Sequence, residues 1–234
     1  MNVKEKRIIV TGGSLGIGRE TAKSLIDKGA IVLVTGRSQD RLEKSFGDLD
    51  CQTIAFDIGD TSNIEKNAEK CLDLLDGKVD ALINNAGIGE RKRIEELTIE
   101  SFQKVFNVNV FGLALFTKEI VPAMKNNNGG TIINIGSTAS LKGYQTGSIY
   151  ASSKFAVRCL TQCWQAELRP HNIRVCQINP SEVTTAFGNP DRIERDEVHN
   201  KLTSKEIAHA ITSAIEMDER GFINELNVWA TNPF

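Results

Sequence analysis

Short β-branched runs alternate with longer helical stretches along almost the whole chain, and this rhythm constrains the fold more than any other feature. Strands are expected at 7–11, 31–35, 52–56, 81–84, 131–136, 173–178 and 222–228. Helices are expected near 15–28, 38–46, 61–76, 99–125, 150–169 and 204–216. Several strands are apolar nearly throughout, such as Ile8-Ile9-Val10 and Ile31-Val32-Leu33-Val34. That is the pattern of strands buried on both faces. Strand–helix–strand order implies an α/β fold: a doubly wound parallel sheet of about seven strands, with right-handed crossovers and helices on both faces. Thr61 and Ser204 stand where helix N-caps fall, with Glu206 following in the first turn, and Gly29 and Gly77 stand where helices should end.

The chain of 234 residues fits one domain, 1–234, and no linker, repeat or low-complexity tract divides it. The Asn/Gly run at 126–130 is read as a loop, because the next strand continues the same rhythm. Residues 188–201 break it: they are polar, carry Pro190 and mix charges of both signs, which suits either a solvated crossover or a mobile lid over a cleft. Lys plus Arg number 28 against 30 Asp plus Glu, a balance that argues against a nucleic-acid partner. No apolar run approaches the ~18–20 residues of a membrane span, so no membrane partner is expected. The amino terminus turns strand-like too early for a signal peptide. Five cysteines at irregular spacing suggest reduced thiols in a cytoplasm.

Thr11-Gly12-Gly13-Ser14-Leu15-Gly16-Ile17-Gly18 follows the first strand and opens the first helix. Glycines let the chain turn tightly and approach an anion closely, and the helix start supplies free N–H groups at the positive end of its dipole. The strand-before, helix-after setting is the one a dinucleotide-binding turn requires. About 20 residues on, an acid would bind the ribose 2′-hydroxyl of NAD. The chain instead reads Thr35-Gly36-Arg37-Ser38, and Arg37 suits a charge-assisted pair with the 2′-phosphate of NADP. Asp57, beside Ile58 at the end of the third strand, suits the adenine amino group or a helix cap.

Tyr150 and Lys154 stand four apart at the start of a helix and share a face. Bringing a phenol from ~10 to near neutrality takes about 4 kcal/mol of differential interaction, which a nearby ammonium helps to supply. Such a tyrosine can protonate the alkoxide that hydride addition makes from a carbonyl. Ser137 follows the fifth strand, at the carboxyl edge where open α/β sheets bind ligands, and its hydroxyl can polarise a carbonyl. Asn84-Asn85-Ala86-Gly87 ends the fourth strand at the same edge, and Asn109 lies in an otherwise apolar helix, where its amide needs a partner.

From Arg7 to Val228 the sequence resembles the short-chain dehydrogenase/reductases, which have a Rossmann-type fold. The resemblance implies that Gly12, Ser14, Gly16, Ile17 and Gly18 form the diphosphate loop, and that Asn85, with Ala86 and Gly87, contacts the adenosine ribose. It implies a tetrad of Asn109, Ser137, Tyr150 and Lys154: Tyr150 as acid/base and Ser137 orienting substrate. Lys154 would bind the nicotinamide ribose and depress the tyrosine pKa, while Asn109 would support a water-linked relay. Pro180, Val183 and Thr185 align with the nicotinamide-facing segment, although Ser181 replaces a common glycine. Leu15 stands where many NADP-dependent members carry an arginine, which leaves the 2′-phosphate to Arg37. The ending 225–230 is similar to 3-oxoacyl-carrier-protein reductase-like, sepiapterin-reductase-like or hydroxy-acid dehydrogenase members.

No metal is expected: His171, His199 and His209 lack ligand-like neighbours. Cys159 and Cys163 read as core or interface thiols. The charged run 90–96 reads as a solvated loop, with Arg91 to Arg93 as an alternative landing site for an acidic substrate carrier. The helices at 99–125 and 150–169 carry Phe102, Phe106, Phe111, Phe155 and Trp164 around much of their circumference, so a two-fold symmetric homodimer or homotetramer is expected. The leading expectation is an NADP(H)-preferring oxidoreductase acting on a small carbonyl or alcohol, free or bound to an acyl carrier. Its rivals are an NAD-dependent hydroxy-acid or alcohol dehydrogenase and a catalytically silent dinucleotide sensor.

Overall fold

The strands are β1 (Arg7–Val10), β2 (Ile31–Gly36), β3 (Gln52–Ala55), β4 (Ala81–Asn84), β5 (Gly130–Ile135), β6 (Ile173–Pro180) and β7 (Glu225–Val228). In this computed structural model they form one sheet in the order β3-β2-β1-β4-β5-β6-β7, and every pairing is parallel. The structure describes residues 2–189 and 191–233. Met1 of the amino-terminal segment, Pro190 of the expected lid and Phe234 lie outside them.

The helices are α1 (Gly16–Asp27), α2 (Gln39–Phe46), α3 (Ile64–Leu74), α4 (Ile99–Phe106), α5 (Leu113–Asn126), α6 (Ser148–Leu168) and α7 (Ser204–Glu216). Alternation along β1 shows how they share the sheet. Ile8 and Val10 join Ala22 and Leu25 of α1 and Ile207 and Ile211 of α7 on one face. Ile9 joins Ile64 of α3 and Phe116 and Ile120 of α5 on the other. Because side chains point alternately to the two faces, a strand between two helix layers must be apolar at every position.

The helix expected at 99–125 is interrupted. Asn107–Gly112 winds as a π-helix between α4 and α5. Gly112 is required there, because a Cβ would come within 2.0 Å of the Ile58 carbonyl oxygen. The run Ile99–Asn126 is long and apolar enough to span a membrane by length and composition, holding an 18-residue window of mean hydropathy 1.2, which amends the expectation that no run approaches that length. Half of that window is buried, and Val105, Phe116, Ile120 and Met124 are fully so, as in a core helix.

Two caps move from their expected places. Thr203, not Ser204, caps α7: its hydroxyl accepts from Lys205 N–H, and Glu206 accepts the Thr203 N–H at 2.7 Å. Ser204 is drawn inside the first turn and buried because the reciprocal box needs a three-residue spacing. Thr61 opens a 3-10 turn, Thr61–Asn63, and α3 starts only at Ile64. Gly29 (φ 80°) and Gly77 (φ 70°) end their helices in the left-handed conformation, as expected.

Strands run outward from β1 in both directions, so the chain reverses between β1 and β4, and ligands of open α/β sheets bind beyond the strand ends at that reversal.

Candidate active site

A cleft of about 1190 Å³ opens at that edge. It is lined by the turn after β1, the ends of β2 to β6, the start of α6 and the strap between β6 and α7. Of the expected cofactor residues, Gly12, Ser14, Leu15, Gly16, Ile17, Arg37, Asp57, Ile58, Asn85, Ala86, Gly87, Pro180, Val183 and Thr185 all line it. Ser137, Tyr150 and Lys154 line it too. Gly18 and Asn109 do not.

The glycine turn is built for close approach. Gly12 has φ 63°, and a Cβ there would lie 2.6 Å from Ala86 Cα. Gly18 is buried beneath the turn, where a Cβ would meet Asn85 Nδ2 at 2.4 Å. It does not line the cleft; its lack of a side chain leaves room for Asn85 and for the backbone of Gly12 and Gly13. Asn85 is similarly occupied. Its Nδ2 donates to the carbonyls of Thr11 (3.0 Å) and Gly12 (2.9 Å), and Thr11 Oγ1 accepts the N–H groups of Asn85 and Ala86. Asn85 thus clamps the turn, and only its Oδ1 is left for the ribose contact that the resemblance implied.

An anion already rests on this turn. Glu194, from the strap after Gly188, accepts the Gly16 N–H at 3.0 Å, and its other oxygen accepts from Arg19 at 2.9 Å. A carboxylate on the Gly16 N–H at the start of α1 shows that the turn accommodates negative charge, so the residues present fit a dinucleotide diphosphate. Arg37 at the end of β2 and Arg41 in the first turn of α2 face the same cleft. Asp57 uses Oδ1 to accept the Gly59 N–H at 2.8 Å, the local-turn alternative to an adenine contact.

At the other end, Lys154 is buried, and its Nζ donates to the Ile135 carbonyl at 2.7 Å. Burial lowers its pKa to about 8. Nζ lies 5.9 Å from the centre of the Tyr150 ring. Burial pushes the Tyr150 phenol well above its usual range, while a hydrogen bond from Ser137 opposes the rise. This departs from the expectation of a lowered tyrosine pKa: desolvation of the phenol outweighs the Ser137 hydrogen bond and the Arg91 charge. The phenol holds its proton. Phe187 packs against it with ring centres 5.5 Å apart.

Ser137 is held by its backbone, whose N–H donates to Ser140 Oγ and Asn179 Oδ1, both at 3.2 Å. Asn109 finds the partner its buried amide needed. Oδ1 accepts the Ile88 N–H at 2.9 Å, and Nδ2 donates to the Ile88 carbonyl (2.9 Å) and Ser153 Oγ (3.0 Å). It fixes the 87–89 loop from behind the cleft, and the π-helical turn that carries it is a common local device at functional sites.

Sequence reasoning missed Arg41, Arg192, Tyr144, Phe187 and Trp229, all of which line the cleft. Arg91 also lines it, stacked 5.7 Å from the centre of the Tyr144 ring, so the 90–96 run is not wholly solvated loop. All three histidines are exposed. Cys159 and Cys163 are exposed as well, which overturns the core half of their reading.

Residues 6–196 match the family described as short chain dehydrogenase. The chain belongs to the short-chain dehydrogenases. It is thus an oxidoreductase whose fold binds a nicotinamide dinucleotide. It is 31% identical over 239 residues to an uncharacterized oxidoreductase of Staphylococcus saprophyticus, covering 97% of this chain and 98% of that one. Among solved structures it is similar to an alcohol dehydrogenase from the archaeon Thermococcus sibiricus complexed with 5-hydroxy-NADP, with TM-score 0.89, 28% identity and 97% of each chain covered. It is also similar to 3-ketoacyl-(acyl-carrier-protein) reductase from Brucella melitensis complexed with NADH, with TM-score 0.87, 26% identity, and 99% of this chain and 100% of that one covered. The two neighbours hold different nicotinamide cofactors, an NADP derivative and NADH.

Proposed function

We propose that this short-chain dehydrogenase is an NADPH-dependent carbonyl reductase in which Tyr150 protonates the nascent alkoxide. The observation that carries the reading is that Ser137, Tyr150 and Lys154, the last with Nζ 5.9 Å from the phenol ring centre, line one cleft with the glycine turn whose Gly16 N–H holds a carboxylate. The reduced nicotinamide, when bound, supplies the hydride. Ser137 hydrogen-bonds the substrate oxygen, and the Tyr150 O–H gives its proton to that oxygen as negative charge develops. Lys154, anchored on Ile135, holds the nicotinamide ribose and keeps positive charge near the phenol as it ionises. Arg37 supports NADP(H) over NAD(H), because no acid stands at the end of β2 to bind a ribose 2′-hydroxyl.

A 3-oxoacyl thioester is the substrate class we favour, free or carrier-bound. The cleft's mouth combines the apolar rings of Phe187 and Trp229 with the cation of Arg91, which suits an acyl chain beside an anionic carrier. Five free cysteines suit a reducing cytoplasm. The test is NADPH oxidation against ketoacyl thioesters and diketones, with NADP⁺ reduction against small hydroxy acids. Turnover of a ketoacyl thioester supports the reading. Tight NADPH binding without reduction of any carbonyl contradicts it and leaves a dinucleotide sensor.

A further inference from the structure

Three arginines from two distant parts of the chain converge on one end of the cleft. Arg37 follows β2, Arg41 lies in the first turn of α2, and Arg192 comes from the strap between β6 and α7. The Arg192 side chain is half-buried, and its Nε is fully buried with no hydrogen-bond partner. Its backbone takes the left-handed conformation (φ 57°), rarely adopted by residues other than glycine, in a turn closed by its N–H on the Asn189 carbonyl at 3.1 Å.

Burial and the like charges of Arg37 and Arg41 both disfavour the Arg192 cation. Other cations of the strap are matched: Arg195 meets Glu182 at 3.1 Å, and Lys201 meets it at 2.6 Å. Among the described residues no carboxylate pairs with Arg37, Arg41 or Arg192. Three clustered guanidinium groups without a counter-charge are self-repelling, and a buried Nε–H without an acceptor is costly. Both costs are removed by a ligand that brings two negative charges and several acceptor oxygens to that point. A phosphate monoester has this chemistry, and guanidinium groups match it in a forked geometry.

We propose that Arg192 is a cofactor-specificity residue, closing the strap over the 2′-phosphate of NADP(H) as the third member of a clamp with Arg37 and Arg41. The proposal rests on the NADPH reading of the site and deepens it: the strap is ordered by the one group that distinguishes NADP from NAD. It assigns a binding role to a segment that looked, in sequence, as much like a solvated crossover as a lid.

The test is titration of NADP⁺ and NAD⁺ into the wild type, Arg192→Met, Arg192→Lys and Arg37→Ala, with 2′,5′-ADP and 5′-AMP as probes lacking the nicotinamide. The wild type is expected to prefer NADP⁺ at least tenfold. Arg192→Met should raise the Kd of NADP⁺ and of 2′,5′-ADP about tenfold and leave NAD⁺ and 5′-AMP within twofold. Arg192→Lys should recover part of the loss by restoring the charge. A wild type with no preference for NADP⁺ overturns the cofactor reading and this inference together. A wild-type preference that Arg192→Met leaves intact, but Arg37→Ala abolishes, overturns the inference alone. Equal weakening of all four ligands by Arg192→Met also overturns it, because Arg192 would then only shape the strap.

Discussion

The Gly16 amide donates to the Glu194 carboxylate at 3.0 Å, so the strap lays its own anion on the glycine turn proposed to hold the dinucleotide's diphosphate. The second carboxylate oxygen is tied to Arg19 at 2.9 Å, on a side chain about one-third exposed. A diphosphate settling on the start of α1 must displace this carboxylate. Glu194→Gln keeps the shape and removes the charge, and a charge at a helix start is worth ~0.3–1 kcal/mol. The variant is expected to bind NADPH about two- to fivefold more tightly at low salt, by fluorescence titration. Weaker binding would mean that Glu194 supports the bound state instead.

A second relationship runs beneath the site. Asn84, Asn134, Gln177 and Glu225 fall opposite one another across β4, β5, β6 and β7, a polar row in an apolar sheet. Asn179, two residues beyond Gln177, accepts from the Ser137 N–H (3.2 Å) and Gln177 Nε2 (2.6 Å). It donates to Glu225 (2.8 Å) and Asn227 (2.9 Å). Asn179→Leu leaves the buried Gln177 amide without its acceptor, a cost of roughly 1–3 kcal/mol, and strips one bond each from the less buried Ser137, Glu225 and Asn227. Urea unfolding should show a loss of about 2 kcal/mol or more. A loss under ~0.5 kcal/mol would mean that the row does not support the fold.

How much of this could be read in advance followed from how local each signal was. The strands were legible because burial on both faces leaves an unbroken apolar run, and the glycine turn because its spacing is contiguous. Ser137, Tyr150 and Lys154 were legible through short motifs on recognisable elements. The polar row was not, since its meaning depends on strand register between segments some fifty residues apart. Neither was Arg192, whose relation to Arg37 exists only once the strap crosses the cleft. The sign of the Tyr150 shift was not legible either, because burial of the phenol is a tertiary fact.

Lys154 makes stability depend on pH. Its folded pKa of about 8 lies below the ordinary 10.5, so between those values the unfolded chain holds a proton that the folded chain has released. Stability contributed by this site therefore rises with pH across that window. Urea unfolding of the cofactor-free wild type and Lys154→Met from about pH 7 to 10 should show the wild type gaining on the variant above about pH 8. A difference that stays flat would contradict a buried, destabilised ammonium.

Assembly is expected from two exposed apolar stripes. Phe111 (48% exposed) and Leu115 (37%) lie one turn apart on the run into α5, and Phe155 (42%) leads Cys159 and Cys163 along one side of α6. We expect a two-fold symmetric dimer, or a tetramer built from it, that covers these stripes. Light scattering at micromolar concentration should give a multiple of the monomer mass, and Leu115→Glu with Phe155→Glu should return it to the monomer. A wild-type monomer would contradict the expectation.

The central claim is that Tyr150 delivers the proton. Tyr150→Phe keeps the ring, its contact with Phe187 and the neighbouring Lys154, and removes only the hydroxyl. The decisive measurement is single-turnover NADPH oxidation by Tyr150→Phe and wild type with a reducible carbonyl substrate, beside NADPH titration of both. The account predicts a rate lower by ~10²–10⁴-fold, the range typical of a positioned acid–base group, with NADPH affinity changed less than about threefold. Turnover at the wild-type rate would show that the proton comes from elsewhere and would contradict the account.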